Sequence, residues 1–393
     1  MPFITVTSSR YCILCAVLSC IPSGLAAVEP NIERIRRDWE ERFTRTRNVV
    51  YQTEGQQISP KGTIIYAGDS TAPASIRETG YPPEDMSKAY ELNWYVDHQH
   101  GFLRLERTNY VFDVDAVEFE EQRIVDAFDG ETLWTGSLDG EGGLSLQPSS
   151  RAKWFFTTAS LPMFFAHGMF PLELLNYKDL SSQTADDLTL TPAGFSVVEG
   201  RRCEVVRVQW RGSDPDVRQL LHVDPERHSA VLRYEEKFVG KPSALSFVPE
   251  REYPEGPVLG MSIDIEQQEV DGMWVPLRWV KNVYDTLNAR VVDGRAKTDL
   301  TETIKLEVVE VEINAGIDPS LFTQPREAGM IVQDRRGDYE KYVVADDGET
   351  LVPLPRGGTA ETTASLPYWL AVTGIGILLF CAGVVLFRRA LRR

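Results

Sequence analysis

The chain places two imidazoles two residues apart in His98-Gln99-His100, directly after Asp97. On a strand such residues share a face, and with further donors they would make a metal site. Gly101 follows and strand-like runs flank both sides, so the expectation here is a polar hairpin turn. Asp113-Val114-Asp115 alternates two carboxylates as a calcium site or a glycosidase pair would require. Together with Glu118–Glu121 and Asp186-Asp187 it reads equally as a solvated strand edge. His167, His222 and His228 have no evident partners in sequence. No Gly-x-Ser-x-Gly elbow, phosphate-binding loop, dinucleotide fingerprint or HExxH pair occurs. The expectation is a non-enzyme with no catalytic residues, no metal ligands and no cofactor. What remains is apolar and aromatic. Phe155, Phe156, Phe164, Phe165 and Phe170 crowd the segment Trp154–Tyr177, and Trp134 and Trp274 lie in strand-like runs. These seven residues are the candidate ligand contacts, as walls of an apolar cavity or as plain core.

The elements that position them belong to an acidic, exported chain of 393 residues. All 58 acidic residues and 36 of the 41 basic ones lie between residues 28 and 365, a segment charge of −22 that disfavours nucleic acid. Arg10, the apolar run Tyr11–Ile21 and the small residues Ser23-Gly24-Leu25-Ala26-Ala27 predict a signal peptide over 1–26. Val17-Leu18-Ser19-Cys20 offers a lipid-modified Cys20 as the competing reading. Leu366–Phe387 carries no charge and precedes Arg388, Arg389, Arg392 and Arg393, which predicts a transmembrane helix over 366–387 and a cytoplasmic tail over 388–393. Val352-Pro353-Leu354-Pro355 ahead of that helix also loosely fits a sorting signal with a removed tail. Together the two ends imply a single-pass protein of the bacterial cell membrane with its large domain periplasmic. Cys203 is the lone cysteine of that domain, so its core must hold without a disulfide there.

Ile32, Ile35, Trp39 and Phe43 form one stripe of an amphipathic helix capped by Asn31. From Lys61 onward short β-branched and aromatic runs dominate, beginning with Thr63–Ala67 and ending with Thr301–Ile313. Asp129-Gly130 and Asp271-Gly272 each predict a two-residue hairpin. Short connections imply an antiparallel meander. Trp154–Tyr177 interrupts it with Pro162, Gly168, Pro171 and Glu173, predicting short broken helices laid over a sheet. Residues 323–365 read as a linker with a short strand at Tyr342–Val344.

The order of these elements, with Phe128-Asp129-Gly130-Glu131-Thr132-Leu133-Trp134, Gly200-Arg201-Arg202-Cys203-Glu204-Val205-Val206, Leu221-His222-Val223-Asp224-Pro225-Glu226, Val270-Asp271-Gly272-Met273-Trp274-Val275-Pro276 and Ile317-Asp318-Pro319-Ser320-Leu321-Phe322, resembles the LolA-like superfamily of periplasmic lipoprotein carriers. The resemblance spans roughly residues 31 to 330. It implies an α+β, mainly β fold over 27–322: a curved antiparallel sheet, or incomplete β-barrel, with a helical lid and a cavity for acyl chains. The implied partners are lipid or lipoprotein acyl chains. This domain is longer than the soluble carriers and tethered, so a fixed lipid-handling factor fits better than a shuttle. The alternative is an envelope sensor or protein-interaction module that uses the same fold without lipid.

Overall fold

The computed structural model describes residues 29–63, 82, 84–113, 118–138, 143–147, 158–169, 188–210, 217–240, 254–286, 288–324, 326–337 and 339–354. Helix α1 (Ile32–Arg45) starts on Asn31, whose side chain accepts from the Arg34 N–H at 3.0 Å. The strands that follow are β1 (Asn48–Ser59), β2 (Met86–Asp97), β3 (Phe102–Asp113), β4 (Glu118–Phe128), β5 (Leu133–Ser137) and β6 (Leu144–Gln147). After the short helix α2 (Leu161–Ala166) come β7 (Leu188–Val198), β8 (Arg201–Trp210), β9 (Val217–Asp224), β10 (Ala230–Phe238), β11 (Val258–Val270) and β12 (Met273–Tyr284). β13 (Arg290–Val292) and β14 (Arg295–Lys297) form a separate hairpin ahead of β15 (Leu300–Ile313), and β16 (Ile331–Asp334), β17 (Glu340–Val344) and β18 (Leu351–Pro353) complete the chain.

Sixteen of these strands build one curved open sheet, in the order β18-β17-β16-β6-β5-β4-β3-β2-β1-β15-β12-β11-β10-β9-β8-β7. The architecture is mainly β, as an incomplete barrel requires. β1 joins its two halves, pairing antiparallel with β2 on one side and β15 on the other. β1 is absent from the sequence reading because Gln52-Thr53-Glu54-Gly55-Gln56-Gln57 lacks apolar alternation; its inward Thr53 is buried and polar, and Gly55 has no side chain to show. Gly55 is required by packing: a Cβ there would stand 1.8 Å from the Lys305 carbonyl oxygen.

The main core lies on the inner face, where Tyr51, Leu92, Trp94, Val206, Leu221, Ile263 and Trp279 meet α1 and α2. α1 closes one end of the curve. Its Trp39 Nε1–H donates to the Ser229 carbonyl at 2.9 Å, and Arg34 reaches Glu204 at 2.7 Å. The expected stripe is modified at its end. Phe43 is partly exposed and sits edge-on to His98, while Arg42 is buried instead. The Arg42 guanidinium donates to the carbonyls of Arg227 and His228, which lie beside the left-handed residues His228 and Ser229 of the β9–β10 turn. Burial lowers its pKa to about 10.

A second cluster (Val125, Ala127, Trp134, Leu144, Leu146, Val332 and Val344) occupies the opposite face of β4–β6. β16 supplies part of it by pairing parallel to β6, an exception to the antiparallel meander. Within the segment expected as a linker from residue 323, three short strands over 331–353 extend the sheet. The strand expected at Tyr342–Val344 falls within β17, while β16 and β18, of four and three residues, are too short to show a period in sequence. Asp271-Gly272 is the expected two-residue turn, with φ of 50° and 72°. Asp129-Gly130 is not: Phe128 pairs with Leu133, and the Asp129 carboxylate accepts from the N–H groups of Glu131 at 3.0 Å and Thr132 at 2.6 Å, opening a longer loop. No helix among the described residues is long and apolar enough to cross a membrane, and the expected segments 1–26 and 366–387 lie outside them.

Candidate functional site

The concave face of the sheet is filled by residues 158–169. Pro162 stands in the first turn of α2, where its missing N–H removes no helical bond. Gly168 ends the helix at φ +65°: Met169 N–H donates to the Phe164 carbonyl at 2.9 Å and Gly168 N–H to that of Phe165 at 3.2 Å. Gly168 also lies against α1, where a Cβ would come within 2.0 Å of the Trp39 carbonyl oxygen. All six residues of α2 are buried, so the helix is apolar all round and behaves as a plug inside the curve.

Phe164 packs edge-on to Trp94 at 4.8 Å between ring centres, and Phe165 lies 5.9 Å from Tyr234. Trp279 Nε1–H donates to the Ala159 carbonyl at 2.9 Å, anchoring the entry to the helix. At the other end His167 is fully buried between Thr46 of the α1 cap (Oγ1 to Nδ1, 3.0 Å) and Tyr51 of β1 (Oη to Nε2, 2.7 Å). Burial, with His98 and Arg42 nearby, holds its pKa down at about 3, so the ring is neutral.

Two of the seven expected contact residues, Phe164 and Phe165, stand in this interior. Trp134 does not. It belongs to the outer cluster, under the Arg104 guanidinium, and its Nε1–H donates to the Phe322 carbonyl at 3.0 Å. Trp274 also points away: its neighbours Met273 and Val275 face the core, while its own ring lies 4.3 Å from the Arg227 guanidinium carbon. Phe155, Phe156 and Phe170 lie outside the described residues. Sequence reasoning missed Trp279, Tyr51, Tyr234 and His167. Met273, Val275 and Trp279 share one parity of β12 and face the core, so period-2 alternation along Met273–Trp279 is the signal that separates Trp279 from Trp274.

The polar candidates separate. Asp97 Oδ1 accepts from the N–H groups of Gln99 at 3.0 Å and His100 at 3.3 Å, and its Oδ2 meets His100 Nδ1 at 2.7 Å. His100 is exposed, whereas both ring nitrogens of His98 are buried without a hydrogen bond, so the two imidazoles diverge. His222 receives Ser196 Oγ at 2.7 Å on Nδ1, with Glu235 3.5 Å from Nε2. That carboxylate is also engaged by Lys237 at 2.7 Å, and His222 and Lys237 together hold its pKa down at about 2. Burial pushes the Cys203 thiol up to about 11, which makes it an inert core residue. A cleft of about 770 Å³ is lined by charged residues, among them Glu54, Glu266 and Arg278, together with the apolar Tyr90, Trp279 and Leu306.

No family model matches the chain, and no curated protein matches its sequence. Solved structures are similar to it in part. A provisionally assigned outer membrane lipoprotein-sorting protein domain from Vibrio parahaemolyticus covers 75% of this chain and 97% of its own, at 10% identity and a TM-score of 0.41. A DUF1329 family protein from Desulfovibrio piger covers 74% and 95%, at 11% identity and 0.35. A LolA superfamily protein from Nitrosomonas europaea covers 75% and 98%, at 10% identity and 0.36. The likeness read from the residues is thus found among solved structures, at a level that carries no argument about ligand or activity.

Proposed function

We propose that this chain is a membrane-anchored, periplasmic protein that binds a lipid, or the acyl chains of a lipoprotein, inside the curved sheet, with α2 withdrawing to admit them. The observation that carries this reading is a wholly apolar six-residue helix, buried at every position, packed into the main core of the sheet. Magnitudes allow the exchange. Removing Leu161, Met163, Phe164 and Phe165 from their contacts forfeits about 1.5–3 kcal/mol each, roughly 6–12 in all. An acyl chain of about 14 methylenes returns about 11 kcal/mol at ~0.8 per methylene. Ligand and plug are thus near-equal competitors for one space, as a reversible carrier or acceptor needs. The vacated walls would be Trp94, Tyr234, Ile263 and Trp279, with Phe164 and Phe165 moving out as lid residues. No enzymatic step is part of the proposal.

Native mass spectrometry of residues 27–364, isolated from membranes without added lipid, tests it. A discrete added mass that extracts into organic solvent is the expected result. A ligand-free mass, together with no uptake of added phospholipid or lipopeptide, would overturn it. The filled interior also suits a module that grips another envelope protein, and that outcome would favour this second reading.

A further inference from the structure

His167 carries the one polar side chain between Leu161 and Met169, and it sits where the plug ends. Its hydrogen bonds assign its tautomer. Thr46 Oγ1–H donates to the Arg42 carbonyl at 3.0 Å, so Thr46 accepts from His167 Nδ1–H, and Tyr51 O–H donates to Nε2. Protonation would make Nε2 a donor as well, so the Tyr51 hydroxyl would have to turn its own proton away from the ring and a cation would stand in a fully buried site. The surroundings give that proton no help. α1 presents the Arg42 cation, on which Asp38 and Glu41 act, and β12 presents the neutral Met273 beside Thr46. Trp94 of β2 stacks on the imidazole at 6.2 Å. The β2–β3 turn brings His98, and Asp97 behind it is engaged by Gln99 and His100.

We propose that the Thr46–His167–Tyr51 contact is an acid-released latch: the plug remains in the sheet while His167 is neutral and withdraws when the ring takes up a proton. The inference rests on the reading that α2 withdraws. The sign follows from linkage. In the withdrawn state the ring regains an ordinary pKa near 6.5, while in the sheet it stands at about 3. The closed state therefore keeps its full advantage above about pH 6.5 and loses it on acidification, about tenfold per pH unit. At pH 5 the withdrawn population rises about 30-fold. His98, whose burial lowers it to about 4 against the pull of Asp97, steepens the response if it is freed with the plug.

Hydrogen exchange by mass spectrometry on the full-length chain in detergent, between pH 7.5 and 5.0 and with no lipid added, tests the latch. The peptide covering 158–169 reports the plug, and peptides from β8–β11 report global unfolding. After correction for intrinsic exchange, plug opening is expected to rise about tenfold per pH unit below about 6.5 while β8–β11 stay unchanged. His167→Gln, neutral at every pH, is expected to flatten that slope. A pH-independent plug, a slope that β8–β11 share, or a slope kept in His167→Gln would each overturn the proposal. The wild-type slope alone decides should the variant not fold. No ligand enters the measurement, so a flat slope and an empty lipid spectrum are separate failures.

Discussion

Phe164 and Trp134 are both fully buried aromatics, yet they sit on opposite faces of one sheet and should respond differently to substitution. Phe164→Ala removes a ring packed on Trp94 and is expected to destabilise by about 3–5 kcal/mol in chemical denaturation. It should also change lipid retention, since the ring shares the space the ligand would enter. Trp134→Phe keeps most of the buried area and strands the Phe322 carbonyl, an expected loss of about 1–3 kcal/mol. Retention measured by mass spectrometry should be unchanged in that variant, and a loss there would place the ligand on the wrong face for the present reading. Trp279→Phe makes a sharper comparison, because it removes the Nε1–H bond to the Ala159 carbonyl at the entry to the plug. A similar loss of stability is expected, with faster exchange confined to 158–169.

The elements owe their placement to a few glycines and caps. Gly168 combines a left-handed backbone with contact against α1, so Gly168→Ala is strained twice over. The expected result is a loss of more than about 2 kcal/mol and a plug that exchanges faster even at neutral pH, where the wild-type latch is closed. Gly55→Ala tests the seam between the halves of the sheet. Its Cβ would collide with the Lys305 backbone, and β1 and β15 must separate or the chain fails to fold. Far-ultraviolet circular dichroism and the denaturation midpoint of that variant check the expectation. At Asp271-Gly272 and at the Asn31 cap, local chemistry alone was enough to place a turn and a helix start.

At the scale of the whole molecule, β16–β18 are part of the sheet and cover one side of the second cluster. Ending the chain at residue 323 would expose Val125, Leu144, Leu146 and the edge of β6. Association through that bare edge is the expected consequence, seen as a shift in size-exclusion chromatography, with the plug contacts left intact. The acidic body argues the same way about partners. Glu54 stands directly across from both Glu91 and Glu307 in the strand register, an arrangement that repels rather than stabilises and keeps this face charged.

Local pattern and composition by themselves determined the antiparallel β architecture, the amphipathic α1, an interrupted aromatic segment in mid-chain and the absence of familiar catalytic signatures. These follow from side-chain period and turn chemistry, which act over a few residues. Tertiary structure alone decided which aromatics share a space. Which parity of β12 turns inward selects Trp279, in step with Met273 and Val275, over Trp274. The alternation of β4 and β5 sends Trp134 outward. The Gln- and Glu-rich β1 becomes a central strand because β2 and β15 flank it, not because its own pattern is apolar. His167, with no partner visible in sequence, acquires two across the fold, since Thr46 and Tyr51 lie more than a hundred residues away. Contacts at that separation depend on how the sheet curves and on which side each strand turns, and no local period records either.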